Sequence, residues 1–152
     1  MVHAANQIII DRSPEEVYAF LADGLNNPLW RSGVKEISLK SGVAGAFGAV
    51  YAQKLAGPGG QPVDGDYEIT VAEPYNRLCF QVVAGPARPS GEYRLTPVAA
   101  ATEVSFSLEL QPKGLMKLAG PMIARTMRSE VAQLSALKEV LEQNVPGVGA
   151  AG

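Results

Sequence analysis

The chain begins with three elements in one short stretch, and their order constrains the fold more than any other feature. A β-branched run that ends at Ile10 predicts a strand. Ser13 then serves as an N-cap, Pro14 takes the first helical position without losing a hydrogen bond, and Glu16 completes a capping box. An aromatic anchor, Trp30, closes the stretch. The sequence therefore predicts a first strand that leads directly into a capped helix.

Between this stretch and the far end of the chain, the sequence pattern is that of strands alone. Breaks rich in Gly and Pro separate the strands, because these residues adopt the dihedral angles that turns require. The strand at 101–111 is the clearest, since its apolar and polar side chains alternate. The short breaks favour antiparallel neighbours, because parallel pairing needs long crossovers. The predicted strands are 3–11, 33–40, 46–56, 63–72, 77–84, 91–95 and 101–111.

The far end of the chain predicts a long amphipathic helix from Pro121 to Glu142, with a kink or restart at the Gly120-Pro121 pair. At about 100° per residue, the apolar side chains fall on one face. A helix this one-sided needs a partner surface, so we expect it to lie across the concave side of the sheet. The apolar face consists of Ile123, Met127, Leu134, Leu137 and Leu141.

Glu130 interrupts this apolar face, and no cation lies one helical turn away from it. A buried carboxylate without a partner is costly, so two interpretations stay open. In the first, Glu130 faces a polar or ligand-filled cavity and accepts a hydrogen bond or acts as a general base. In the second, it lies at an edge, bonded to an Arg or Tyr from the sheet.

Composition limits the classes of function. With 152 residues and 47% hydrophobic content, the chain suits a single domain with its own core. A net charge of −2 argues against nucleic acid as a partner. The single cysteine, Cys79, excludes an internal disulfide, and one Cys with one His leaves no zinc cluster. We therefore expect neither a metal nor a cofactor.

The termini and the hydropathy pattern give expectations about location and domain limits. No signal peptide is evident, and no apolar run approaches the roughly 20 residues that span a bilayer. We expect a cytoplasmic protein without stable membrane insertion, with a homodimer left open. Residues 1–145 are predicted to form one domain, and the Gly-rich segment 146–152 a flexible tail.

Taken together, the motifs resemble the helix-grip superfamily known as SRPBCC or START-like, and within it the polyketide cyclase/dehydrase-type group. The resemblance implies an α+β fold of the order β-α-α-β6-α, in which a curved antiparallel sheet of about seven strands wraps around a long C-terminal helix. It also implies a pocket between the sheet and that helix. Members bind or transfer lipids, bind hormones or cyclise aromatic polyketides, so the resemblance implies no single activity. The matching segments are 9–23, 27–30, 67–74, 77–78, 102–104 and 134–142.

The leading hypothesis is a protein that binds a hydrophobic small molecule, such as a lipid or an aromatic or polyketide-like compound, in this pocket. Tyrosine side chains on the apolar side of the strands offer a flat surface and a hydroxyl group, although core packing explains them too. Trp30 could equally line the pocket mouth or join the short helices to the sheet. The candidate ligand-binding residues are Trp30, Tyr51, Tyr67, Phe80, Tyr93, Phe106, Leu108, Ile123, Met127 and Glu130.

An enzyme is the alternative hypothesis. A metal-independent cyclase or dehydratase could move protons at an enolisable carbonyl with an acid/base pair in the pocket. Glu130, with Tyr93 or Tyr51, is the weak candidate for that pair. The sequence does not decide between binding and catalysis.

Overall fold

The computed structural model describes residues 1–143, and its largest element is one antiparallel sheet. Seven strands lie side by side in the order β1-β8-β7-β6-β5-β3-β2, and β4 pairs with β3 outside this path. The prediction of about seven antiparallel strands is therefore confirmed. The predicted tail, 146–152, lies outside the described residues. The strands are β1 (Val2–Ile10), β2 (Val34–Ser41), β3 (Val50–Ala56), β4 (Pro62–Asp64), β5 (Tyr67–Glu73), β6 (Arg77–Val82), β7 (Ser90–Val98) and β8 (Ala101–Leu110).

The first helix, α1 (Pro14–Ala22), follows β1 with the predicted capping box. The Ser13 hydroxyl accepts a hydrogen bond from the backbone N–H of Glu16, and the Glu16 carboxylate accepts one from the backbone N–H of Ser13. A first 3₁₀ helix (Gly24–Leu29) follows α1 and precedes β2. These two short helices are the α-α part of the predicted β-α-α-β6-α order.

The predicted strand at 63–72 is wrong in one respect, because the structure divides it into β4 and β5. The two halves pair with different parts of β3, so that Val63 lies opposite Leu55 whereas Tyr67 lies opposite Tyr51. Between them, the backbone N–H of Gly65 donates to the carbonyl of Gln53. The strand is thus interrupted at Gly65 and Asp66, and apolar alternation alone does not reveal such a break.

The C-terminal helix is bent into two parts, α2 (Gly120–Ala132) and α3 (Leu134–Gln143). A 3₁₀ helix (Gly114–Ala119) precedes α2, which confirms the expected restart at Gly120-Pro121. The bend lies at Gln133, whose carbonyl accepts hydrogen bonds from the N–H groups of Ala136 and Leu137. The prediction of a continuous helix from 121 to 142 is therefore wrong. Four of the five residues predicted for its apolar face are buried, and Ile123 is partly exposed.

Hydrogen bonds join the bent helix to the first strand and the residue after it, at the middle and at the end of the helix. Near its middle, the Asn6 side chain donates to the carbonyl of Val131 at 3.1 Å. At its end, the Glu142 carboxylate accepts a hydrogen bond from the backbone N–H of Asp11 at 2.7 Å. Lys138 donates to the carbonyl of Ile9 at 2.8 Å. The α+β fold, a curved sheet around a C-terminal helix, is therefore confirmed, with β1 and β8 as the strands that α2 contacts.

Within residues 1–143, none of the helices combines the length and the apolar character that crossing a membrane requires.

Candidate functional site

Five aromatic side chains form a row across the concave face of the sheet, one from each of five neighbouring strands. Tyr51 of β3 stacks on Tyr67 of β5, with ring centroids 5.2 Å apart, and Tyr67 meets the edge of Phe80 of β6 at 5.4 Å. Tyr93 of β7 lies 6.0 Å from Phe80 and 4.5 Å from Phe106 of β8. All five side chains are buried. Their separations are those of favourable aromatic pairs, so the row lines the inside of the sheet with continuous ring surface.

Trp30 covers one end of this aromatic row. Its ring lies 6.2 Å from Tyr93 and 6.1 Å from Phe106, and only 3% of the residue is exposed. Because Trp30 ends the first 3₁₀ helix, it fastens that helix to the sheet. The geometry matches the packing interpretation of Trp30.

A chain of buried polar groups lies beside the aromatic row. The Asn27 side-chain N–H₂ donates to the Tyr67 hydroxyl at 3.1 Å and to the Gln53 side-chain oxygen at 3.4 Å. Gln53 in turn donates to the carbonyl of Gly65 at 3.2 Å. Asn27 and Gln53 are both buried, and each buried polar group needs such partners. The first 3₁₀ helix is thereby joined to β3 and β5.

Glu130 has a partner that the sequence did not reveal. The Arg31 guanidinium donates to the Glu130 carboxylate at 2.7 Å, and the two side chains are 8% and 21% exposed. One turn further along, Gln133 donates to the Ser32 hydroxyl at 2.6 Å. The expected arginine is present, but it comes from the segment before β2 and not from the sheet. These contacts hold the bend of the C-terminal helix against residues 31–32.

Electrostatics at this site keep the arginine charged and the phenols neutral. Burial favours a lower pKa for Arg31, but the Glu130 carboxylate outweighs it and raises the pKa. Burial raises the pKa of Tyr93 to about 12, against the opposing effect of Arg31. Burial also raises the pKa of Tyr67. Both phenols therefore act as hydrogen-bonding groups near neutral pH.

The enclosed space at this site is small. A cavity of about 10 Å³ lies against the sheet, with room for about one water molecule. Drug-sized ligands occupy pockets of about 300–1,000 Å³. Asn27, Arg31, Tyr67 and Tyr93 supply its polar groups. Its apolar wall consists of Leu21, Ala22, Ile69, Leu78 and Phe80.

This cavity lies at a different place from the predicted pocket between the sheet and the C-terminal helix. The lining comes from α1, the first 3₁₀ helix, Arg31 before β2, and β5 to β7, with none from α2 or α3. Under the C-terminal helix, Leu134 and Leu137 are fully buried and fill the space against the sheet.

The structure brings some of the predicted ligand-binding residues together and separates others. Tyr67, Phe80 and Tyr93 line the cavity, whereas Tyr51 and Phe106 extend the aromatic row on either side. The remaining predicted residues lie away from the cavity: Trp30, Leu108 and Met127 are buried, and Ile123 and Glu130 are partly exposed.

Sequence reasoning missed two polar residues of the cavity, Asn27 in the first 3₁₀ helix and Arg31 just after it. Both flank the Pro28-Leu29-Trp30 segment that the sequence marked as an anchor. The sequence signal that could have identified them is their position, since both are polar residues close to a Trp that is expected to be buried. The inward direction of Asn27 follows from 3₁₀ geometry, which an α-helical period does not describe.

Gly91 controls the size of the cavity through its partner across the sheet. Gly91 lies opposite Phe80, and a Cβ at Gly91 would overlap the Phe80 ring. We expect Gly91→Ala to push that ring toward the cavity and to lower the free energy of unfolding by about 1–3 kcal/mol, as overpacked cores do. Urea unfolding measures this. An unchanged unfolding midpoint would show that Phe80 does not occupy the position described.

Comparison with known proteins places this architecture in a family. The family model described as polyketide cyclase / dehydrase and lipid transport matches residues 1–142. The chain therefore belongs to that family.

Solved structures share the fold at low sequence identity. A START superfamily protein from Mycobacterium smegmatis is 14% identical, with a TM-score of 0.78 over 93% of this chain and 97% of that one. The Zhui aromatase/cyclase from a Streptomyces strain is 16% identical, with a TM-score of 0.74 over 94% of each chain. The di-domain aromatase/cyclase BexL is 21% identical, with a TM-score of 0.69 over 95% of this chain and 47% of that one. No curated protein matches the chain in sequence.

Among residues 1–143, no group of three or more His, Cys, Asp or Glu side chains is placed to hold a metal ion.

Proposed function

We propose that this protein binds a hydrophobic small molecule that carries a polar oxygen, at the cavity beside the aromatic row. The apolar body of the ligand would lie on Phe80 and the rings of Tyr67 and Tyr93. Its oxygen would take hydrogen bonds from Arg31 and the phenols. The family description and the fold it shares with START-like proteins support a ligand of this class.

One observation carries the proposal: Arg31 lines the cavity and has a buried donor left over. Its Nε atom has no hydrogen-bond acceptor among the described residues, although its terminal nitrogen pairs with Glu130. A buried donor without an acceptor costs about 1–3 kcal/mol, and a ligand oxygen would remove that cost. The surrounding apolar and aromatic walls would supply affinity through burial of the rest of the ligand.

Ligand binding requires the cavity to expand, because its present volume accommodates only about one water molecule. The aromatic side chains must change rotamer, or the first 3₁₀ helix must move from the sheet. The observed affinity is then reduced by the cost of populating that open state. Small flat ligands demand the least expansion, so they are the best first probes.

Thermal unfolding with a matched pair of ligands tests this proposal. We expect 2-naphthol to raise the melting temperature by roughly 5–10 °C at about 100 times its Kd. Naphthalene at the same concentration should raise it less, because it offers no oxygen to Arg31 and binds more weakly. Longer lipids, flavonoids and aromatic polyketides extend the series. The proposal would be contradicted if none of these apolar compounds raised the melting temperature at a saturating concentration.

Gly91→Ala provides the matched control for the ligand experiment. It changes a residue beneath the aromatic row, and it is expected to move Phe80 into the cavity. The stabilisation by 2-naphthol should therefore fall in this variant if the ligand binds at the cavity. An undiminished shift would place the ligand elsewhere on the protein.

A cyclase or dehydratase is the second candidate function. The observation that favours it is the grouping of a carboxylate, a guanidinium and a phenol: Arg31 pairs with Glu130 at 2.7 Å, and both charges act on the pKa of Tyr93. Such a group could stabilise an enolate oxygen while a proton moves. The fold shared with the Zhui aromatase/cyclase is consistent with this role. If turnover of an aromatic polyketide is observed, full activity in both Glu130→Gln and Tyr93→Phe would exclude these residues as the acid/base pair.

A further inference from the structure

The 3₁₀ helix Gly114–Ala119 and the start of α2 expose large apolar side chains. Leu115 is 85% exposed, Leu118 83% and Met122 67%. Met116 and Ile123, from the same stretch, are partly buried and pack against the core. The segment is therefore anchored on one side, while its other side presents hydrocarbon to the surroundings. Single exposed apolar residues are ordinary, but three of them within 115–122 form a patch.

Cations lie within and beside this apolar segment in the sequence. Lys113, Lys117, Arg125 and Arg128 are all exposed, and the sequence from 111 to 129 contains no Asp or Glu. Within residues 1–143, none of the four takes part in an ion pair. The chain as a whole has a net charge of −2, so this segment is positively charged within a protein that is acidic overall.

We propose that segment 113–128 docks the protein peripherally on an anionic lipid bilayer. Leu115, Leu118 and Met122 would enter the interface between headgroups and acyl chains. The Lys and Arg side chains of the segment would contact lipid phosphates and carboxylates. Exposed apolar residues combined with basic ones are the features of helices that lie in the plane of a membrane surface.

Charge complementarity favours an anionic bilayer, and not a second copy of the chain, as the partner of this segment. Two copies that met through this segment would bring the same four cations together, and like charges at an interface oppose association. An anionic bilayer accepts both the hydrocarbon and the charge. Arg88 of the β6–β7 loop lines the same surface groove as Lys113, so two cations and one carboxylate, Glu109, lie along it. This proposal is independent of what the cavity binds.

Flotation of the chain with vesicles tests the docking surface. We expect binding to vesicles of phosphatidylcholine mixed with phosphatidylserine, weak binding to phosphatidylcholine alone, and a loss of binding as NaCl is raised. Leu115→Ser with Leu118→Ser should weaken the partition coefficient roughly tenfold or more. Lys117→Gln with Arg125→Gln should weaken it by a similar factor on the anionic vesicles only.

Val43→Ser with Phe47→Ser is the matched control. These residues are 72% and 73% exposed, but they lie in the β2–β3 loop, which carries no charged residue. This loop lies beside α1, since Gly45 is close to Ala22. The control should bind as the native chain does, and all variants should keep the native melting temperature. Equal binding to both vesicle types, or native binding by the Leu115/Leu118 variant, would overturn the proposal. So would a dimer in light scattering that the same variant dissociates, because the patch would then join two copies.

Discussion

Leu134→Ala is expected to lower the free energy of unfolding by about 2–5 kcal/mol. Leu134 is fully buried and begins α3, directly after the bend at Gln133. Its side chain fills the space between the C-terminal helix and the sheet, and truncation would leave a cavity that neighbouring strands cannot collapse to fill. Urea unfolding followed by circular dichroism measures the change directly.

Ser135→Ala is the control for this experiment, because Ser135 is the next residue along and is exposed. We expect it to change the free energy of unfolding by less than about 0.5 kcal/mol. Similar midpoints for Leu134→Ala and the native chain would mean that the buried face of the helix has been assigned incorrectly.

Removal of one partner from the Arg31–Glu130 ion pair is the second large expected effect. Glu130→Met leaves the Arg31 guanidinium, 8% exposed, without its carboxylate and should cost about 3–5 kcal/mol. Arg31→Met leaves Glu130, which is 21% exposed and so retains some contact with water. The cost of that variant should be smaller.

The double variant, Arg31→Met with Glu130→Met, separates an unpaired buried charge from lost packing. Once both charges are gone, no buried ion remains to be solvated, so the double variant should be more stable than Glu130→Met alone. Chemical denaturation of the four proteins completes this cycle. Strictly additive losses would show that the two side chains do not interact in solution.

Local signals in the sequence were sufficient for much of the fold. Ser13 and Glu16 predicted the start of α1, because a capping box depends only on residues three apart. The alternation over 101–111 likewise predicted β8, because strand periodicity is also local. The buried face that contains Leu134 and Leu137 followed from helical periodicity.

The candidate site depended on contacts that local patterns do not encode. Arg31 and Glu130 are separated by 99 positions, so their pairing emerges only when the C-terminal helix is placed against the segment before β2. The bend at Gln133 is held in part by the same placement, through Ser32. The cavity volume depends on how the aromatic rings pack against one another. Residue type gives the rings but not their rotamers.

The most direct test of the account is to locate a stabilising ligand on the protein by intermolecular NOE measurements. With 2-naphthol bound, we predict contacts from the ligand to the ring protons of Tyr67, Phe80 and Tyr93, and perturbation of the Arg31 guanidinium signals. Contacts confined to surface residues, with the aromatic row unperturbed, would contradict the claim that this family member binds its ligand against the inside of the sheet.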